Sequence, residues 1–123
     1  MSSSHHFDTV AFDVRDNATM LFFARTDKSG EIEDYLLLMR TISDEFEDFI
    51  FIEFNEQQIP VNGLIREAEM NECMLTIRFL DPVAELGGAT ELVITFDATK
   101  ENRTSMEAGA FRVLGEKLSG GHA

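Results

Sequence analysis

The chain has 123 residues, of which 44% are hydrophobic; this composition excludes an intrinsically disordered protein and predicts a single domain over residues 1–123. Its formal net charge of −13, from 23 acidic and 10 basic residues, argues against direct binding of nucleic acid, because phosphate contacts require Lys and Arg. A single Cys excludes an internal disulfide, and no segment approaches the roughly 18 apolar residues of a membrane span, so we expect a cytoplasmic protein without membrane contact.

The first part of the chain has the patterns of strands. Residues 7–14 alternate between apolar and polar side chains, which predicts a strand, whereas we expect residues 1–6 to be flexible. A turn at residues 16–19 before the apolar run Met20–Arg25 predicts a hairpin. The apolar run Tyr35–Arg40 fits either a buried strand or a helix, and its short length favours the strand.

The segment Phe49–Phe54 has the strongest strand pattern of the chain, and we expect it to lie centrally in a sheet. Glu53 shares a face with Phe49 and Phe51, because side chains alternate along a strand. Near the strand end its carboxylate could reach solvent or be held by an Arg, and we favour solvent.

A second hairpin is predicted after a corner at residues 57–63, which contains Pro60 and Asn62-Gly63. Its arms are Leu64–Met70 and Cys73–Leu80, joined at Asn71-Glu72. Alternation in the second arm predicts a buried face that includes Cys73 and a wetter face on which Arg78 contacts water.

The last part of the chain changes from strand to helix. We expect Asp81-Pro82 to break the strand, a helical turn at 83–86, and a final strand at Glu91–Asp97 with Leu92, Ile94 and Phe96 towards the core. Residues 101–118 predict a helix that ends before a flexible stretch at 119–123, and its apolar stripe is formed by Met106, Ala110, Val113, Leu114 and Leu118. The predicted fold class is therefore α+β, mainly an antiparallel β-sheet of about six or seven strands with one C-terminal helix packed on it.

No motif in the sequence indicates catalysis or metal binding. His5 and His6 are adjacent, so they point to opposite sides of an extended chain and cannot both bind one metal ion. Cys73 lies between Glu72 and Met74, without a neighbouring cation or His, which favours a buried structural thiol over a nucleophile. We therefore predict no catalytic residue, no metal and no cofactor.

Acidic residues are concentrated where basic residues are absent. Between Arg40 and Arg66 the sequence has no Lys or Arg. Carboxylates beside a rigid strand suit the docking of a cationic partner, although a solvated loop beside a core strand is an equal alternative. The candidate partner-binding residues are Asp44, Glu45, Glu47, Asp48, Glu53 and Glu56.

The chain contains, in this order, YLLLMR at 35–40, FIEFNEQ at 51–57, NGLIREAEM at 62–70, CMLTIRFLDPVAELGG at 73–88 and ELVITFD at 91–97. This order and spacing resemble the immunity protein 10 family of bacterial polymorphic toxin systems. The resemblance covers most of the chain after Ile32. It departs from the family pattern at Gln58-Ile59-Pro60-Val61, where the family is richer in Gly and Tyr, so contacts of that segment are not transferred.

The resemblance implies a small cytoplasmic antitoxin that binds a cognate toxin, which the acidic segment suggests is cationic, and that acts by occlusion rather than catalysis. Two other functions remain open on the residues alone. One is a small acidic enzyme or ligand-binding protein with a carboxylate-lined pocket between sheet and helix. The other is a self-associating module, so that the chain is a monomer or a homodimer.

Overall fold

The computed structural model describes residues 2–15, 18–41, 49–61, 63–115 and 118–119. This part of the chain forms two five-stranded sheets and one α-helix, α1 (Lys100–Leu114). The first sheet has the order β1-β9-β8-β7-β10 and the second sheet the order β2-β3-β4-β5-β6. The strands are β1 (Ser2–Phe7), β2 (Thr9–Arg15), β3 (Ala18–Thr26), β4 (Ile32–Thr41), β5 (Phe49–Phe54), β6 (Gln57–Pro60), β7 (Ile65–Met70), β8 (Met74–Val83), β9 (Ala89–Phe96) and β10 (Leu118–Ser119).

The predicted α+β class, with mostly antiparallel strands and one helix near the C-terminal end, is confirmed. The strands are more numerous than predicted and form two sheets rather than one. One reason is a bend at Asp8, between β1 and β2. The Asp8 carboxylate accepts a hydrogen bond from the Thr26 N–H there at 2.8 Å. Another lies at Asn55 and Glu56, whose positive φ values of 47° and 75° form a tight turn that returns the chain as β6, where we predicted a corner.

The expectation of a flexible segment at 1–6 is wrong for residues 2–6. Residues Ser2–Phe7 form β1, which pairs in parallel with β9. Phe7 is 1% exposed, and its ring lies 5.9 Å from that of Phe23, between centroids, so the strand is anchored to both sheets. His5 and His6 point to opposite sides as predicted, with His5 half-buried 4.8 Å from the Phe54 ring and His6 exposed.

The position of His5 predicts a pH dependence of stability. Burial, and then the positive charge of Arg25, lower the pKa of His5 below its usual value of 6.5. The folded protein therefore favours the neutral ring, and the unfolded chain binds the extra proton, so stability is lost as the pH falls below the unfolded value. From about pH 7.5 to about pH 5.5, urea unfolding should show a larger loss for the wild type than for His5→Gln. Parallel losses in the two proteins would contradict this assignment.

The two sheets and the helix share one hydrophobic core. The segment Tyr35–Arg40 is a strand as favoured, and its strand β4 is the middle strand of the second sheet. The segment Phe49–Phe54 is β5, paired on both sides by β4 and β6. The buried side chains include Leu21, Phe23, Leu36, Leu38, Ile52, Leu75, Ile77, Leu92, Ile94 and Phe96.

The second predicted hairpin is confirmed as β7 and β8, with small corrections. The turn includes Cys73, which is exposed rather than buried, because β8 begins only at Met74. The strand also continues through Asp81-Pro82 to Val83, although pairing with β9 shifts register between Arg78 and Val83. Proline has no N–H to donate, which explains why the ladder is interrupted there.

The helix α1 is shorter than predicted. Thr99 caps its start, with its side chain accepting a hydrogen bond from the Asn102 N–H at 3.1 Å. It ends at Leu114 because Gly115, with φ of 54°, takes the C-cap position. Met106, Ala110, Val113 and Leu114 are buried as predicted, whereas Leu118 lies in β10. Within the described residues no helix is long and apolar enough to cross a membrane.

Candidate functional site

The outer face of the second sheet carries apolar side chains that are each partly exposed. Pairing of β3, β4 and β5 makes them neighbours, since Met20 lies opposite Met39, Phe22 opposite Leu37, and Met39 opposite Phe51. Helix α1 packs on the other face of this sheet. We call Met20, Phe22, Leu37, Met39 and Phe51 the outer apolar face.

One end of the outer apolar face is bordered by a polar cluster around Tyr35. The Tyr35 ring stacks on Phe22 with 5.6 Å between centroids. Its hydroxyl donates to Glu53 Oε2 at 2.6 Å and accepts from the Glu56 backbone N–H at 2.9 Å. Gln58 Nε2 donates to Glu53 Oε1 at 3.1 Å. Glu53 is therefore half-buried and accepts hydrogen bonds from the neutral side chains of Tyr35 and Gln58. This arrangement differs from both alternatives predicted from the sequence, contact with solvent and pairing with an Arg.

The hydrogen bond to Glu53, together with burial, raises the pKa of Tyr35. The Tyr35 hydroxyl is thus a firm donor at neutral pH, and it fixes the Glu53 carboxylate in one place. A carboxylate that is already positioned loses less side-chain entropy when a cationic group approaches.

An open groove of about 490 Å³ adjoins this cluster. Its lining comprises Ile32, Glu33, Tyr35, Asn55 and Glu56, and Ile32 is 54% exposed. The Tyr35 N–H donates to the Asn55 Oδ1 atom at 2.9 Å, which ties β4 to the tight turn after β5. The groove therefore combines an exposed aliphatic side chain, an aromatic ring and two carboxylates. The hydrogen bond between Tyr35 and Asn55 holds its backbone in place.

Two of the six predicted acidic residues lie in the described part of the chain. Glu56 lines the groove and Glu53 accepts a hydrogen bond from Tyr35 beside it, whereas Asp44, Glu45, Glu47 and Asp48 lie outside the described residues. Those four precede β5 in the sequence, and Glu56 follows it. A strand as long as Phe49–Phe54 spans about 17 Å, so the start of β5 is well separated from Glu56.

The outer face of the first sheet differs because its charges are paired with one another. Arg78 is 27% exposed and contacts Glu67 at 3.1 Å, Glu69 at 2.7 Å and Glu91 at 3.3 Å. The hydrogen bond that Arg78 donates to the Glu69 carboxylate is the main cause that raises the pKa of Arg78. Our prediction that Arg78 faces water captured the face but missed this ion-pair network, because its partners come from two neighbouring strands.

A smaller cavity, of about 160 Å³, lies between α1 and the turn of the β7–β8 hairpin. Its volume is below the roughly 300–1,000 Å³ that is typical of small-molecule pockets. Within the described residues, no group of three or more His, Cys, Asp or Glu side chains is placed to hold a metal ion. The cavity is lined by Met70, Asn71, Glu72, Phe96, Arg103, Met106 and Glu107.

Sequence reasoning did not identify the outer apolar face. The runs in β3 and β4 are apolar on both faces, and a continuous apolar run is typical of a strand buried on both sides. Only the fold shows that the odd-numbered side chains of β4 are partly exposed.

No family model, curated protein or solved structure matches this chain.

Proposed function

We propose that this chain is a non-catalytic immunity protein, an antitoxin of the bacterial cytoplasm that binds a cognate cationic toxin domain and occludes it. The observation that carries the proposal is the outer apolar face bordered by the Glu33, Glu53 and Glu56 carboxylates, in a chain of net charge −13. The resemblance of its motif order to the immunity protein 10 family supports the same function.

Charge and apolar surface have different roles in this proposal. The negative field attracts a cationic domain and raises the association rate. Apolar side chains at the centre of an interface, surrounded by polar groups, resist dissociation once the partners have docked. Inhibition then needs no chemistry from this chain, because a bound protein blocks access to the toxin surface beneath it.

The second candidate function is a small acidic enzyme or ligand-binding protein. The cavity between α1 and the first sheet favours it to the extent that Glu72 and Glu107 are among its lining residues. Its volume of about 160 Å³ leaves room only for a very small ligand. A metabolite panel that raises the melting temperature would support this candidate, because ligands that bind the native state stabilise it.

The proposal is tested by expressing each open reading frame that flanks this gene in a bacterial host, with and without this chain. We expect one flanking product with a basic domain to arrest growth, and co-expression of this chain to restore growth. Purified chain should bind that domain with an affinity that falls as salt is raised, because screening weakens charge attraction. No rescue of any toxic flanking product would contradict the proposal.

Charge-reversal variants test whether the acidic residues that precede Phe49 in the sequence control association with the toxin domain. The triple variant Asp44→Lys, Glu45→Lys and Glu47→Lys should associate with the toxin domain about tenfold more slowly than wild type at low salt. The matched control, Glu72→Lys, Asp81→Lys and Glu85→Lys, changes the net charge equally with exposed residues of the other sheet and its connections. Equal slowing in both variants would show that net charge, rather than this segment, controls the encounter.

A further inference from the structure

We infer that the outer apolar face of the second sheet is the surface on which a cationic protein domain docks, with the Tyr35 cluster at the edge of the contact. The inference rests on the proposed function and deepens it, because the acidic segment alone does not say where the main binding energy arises. The partner is defined by its chemistry: an apolar centre surrounded by Lys and Arg.

The first argument is the contrast between the two sheets. On the outer face of the first sheet, Arg78 is already paired with three carboxylates, so a partner would gain little by replacing those contacts. On the outer apolar face, partly exposed side chains from adjacent strands form a contiguous apolar surface. Such a surface with a polar border is characteristic of protein-protein contacts.

The second argument is the charge at the border. Glu33, Glu53 and Glu56 lie at one end of the face, and the guanidinium of Arg25 contacts both Glu33 and Asp34. Carboxylates therefore outnumber the described cationic groups at this end. A partner Lys or Arg that enters the groove would meet the Glu33 and Glu56 carboxylates and the Tyr35 ring, which can also accept a cation on its face.

The third argument concerns the alternative occupant, a second copy of this chain. Two copies that dock through this face would bring together equal net charges of −13 and the same acidic border. Like charges across an interface oppose association, whereas a cationic partner is attracted by the same groups. Charge complementarity therefore selects a basic partner over self-association.

The test uses two double variants with matched chemistry. Leu37→Thr with Met39→Thr makes the centre of the outer apolar face polar while retaining a residue type that favours strands. Val93→Thr with Met74→Thr makes the same kinds of change on the outer face of the first sheet, where both side chains are also partly exposed. Circular dichroism and urea unfolding establish that each variant is folded before binding is measured.

The probe is the basic domain of the flanking gene product that this chain neutralises. We expect the variant at positions 37 and 39 to bind at least about tenfold more weakly, mainly through faster dissociation, and the variant at 74 and 93 to bind like wild type. If wild type fails to bind any flanking product, the proposed function fails. If wild type and both variants bind alike, the proposed function stands and this inference fails.

Sedimentation of the free chain completes the test. A wild-type dimer that dissociates in the variant at positions 37 and 39 would show that a second copy occupies this face, which overturns the inference. A monomer at concentrations where the toxin domain binds supports it. Weaker binding in the variant at 74 and 93 alone would assign docking to the first sheet and would also overturn it.

Discussion

Asn102→Ala is expected to lower the free energy of unfolding by about 3 kcal/mol. Asn102 is 5% exposed and connects three segments of the chain. Its Oδ1 accepts from the Val10 N–H at 2.9 Å, and its Nδ2 donates to the Asp8 carbonyl at 2.9 Å and to the Asp97 carbonyl at 2.8 Å. Alanine leaves all three backbone groups without this partner, and unpaired buried polar groups are costly.

Two further variants separate hydrogen bonding from helix effects. Asn102→Asp keeps the acceptor for Val10 but cannot donate to the two carbonyls when ionised, so it should also be strongly destabilised at neutral pH. Thr104→Ala removes an exposed hydrogen bond to the Lys100 carbonyl within the same helix and should change stability by less than about 0.5 kcal/mol. Chemical unfolding of all three variants measures these differences. A loss in Asn102→Ala no larger than that in Thr104→Ala would contradict this role.

Asn102 also shows where sequence reasoning ends. The apolar stripe of α1 is predictable, since Met106, Ala110 and Val113 recur at helical spacing and are buried. Asn102 lies on the same side of the helix, but a polar residue in the first turn ordinarily suggests capping or solvent contact. Its partners Asp8 and Val10 lie 94 and 92 residues away in the sequence, whereas Asp97 lies only five residues before it. No local pattern specifies the two long-range contacts.

The candidate site, like α1, was predictable from the sequence only in part. Glu53 was singled out from its charge and strand position, and the structure describes its contacts with Tyr35 and Gln58. The predicted acidic edge stays a prediction, because four of its six residues, Asp44, Glu45, Glu47 and Asp48, lie outside the described residues. The outer apolar face depends on which side of the second sheet receives α1 and the first sheet, and this is a property of tertiary packing.

Leu21→Ala and Gly109→Ala are expected to compensate for each other in part. A Cβ at Gly109 would lie 2.7 Å from Leu21 Cδ1 and 2.9 Å from Phe12 Cδ2, and Leu21 is fully buried. Gly109→Ala should therefore destabilise by up to about 2 kcal/mol, because overpacking costs about 1–3 kcal/mol and Ala gains roughly 1 kcal/mol over Gly in a helix. Leu21→Ala alone should cost about 2–5 kcal/mol through the cavity it leaves.

In the Leu21→Ala background the same change at Gly109 should destabilise by less than in the wild type, because the contact with Leu21 is gone while the contact with Phe12 at 2.9 Å remains. Ala108→Gly calibrates the gain of Ala over Gly in the helix at an exposed neighbouring position, where it should cost about 1 kcal/mol. A complete double-mutant cycle by urea unfolding measures the coupling. Additive effects would show that Leu21 does not set the close approach of α1 to β3, whereas a smaller cost of Gly109→Ala in the Leu21→Ala background locates the constraint at this pair of residues.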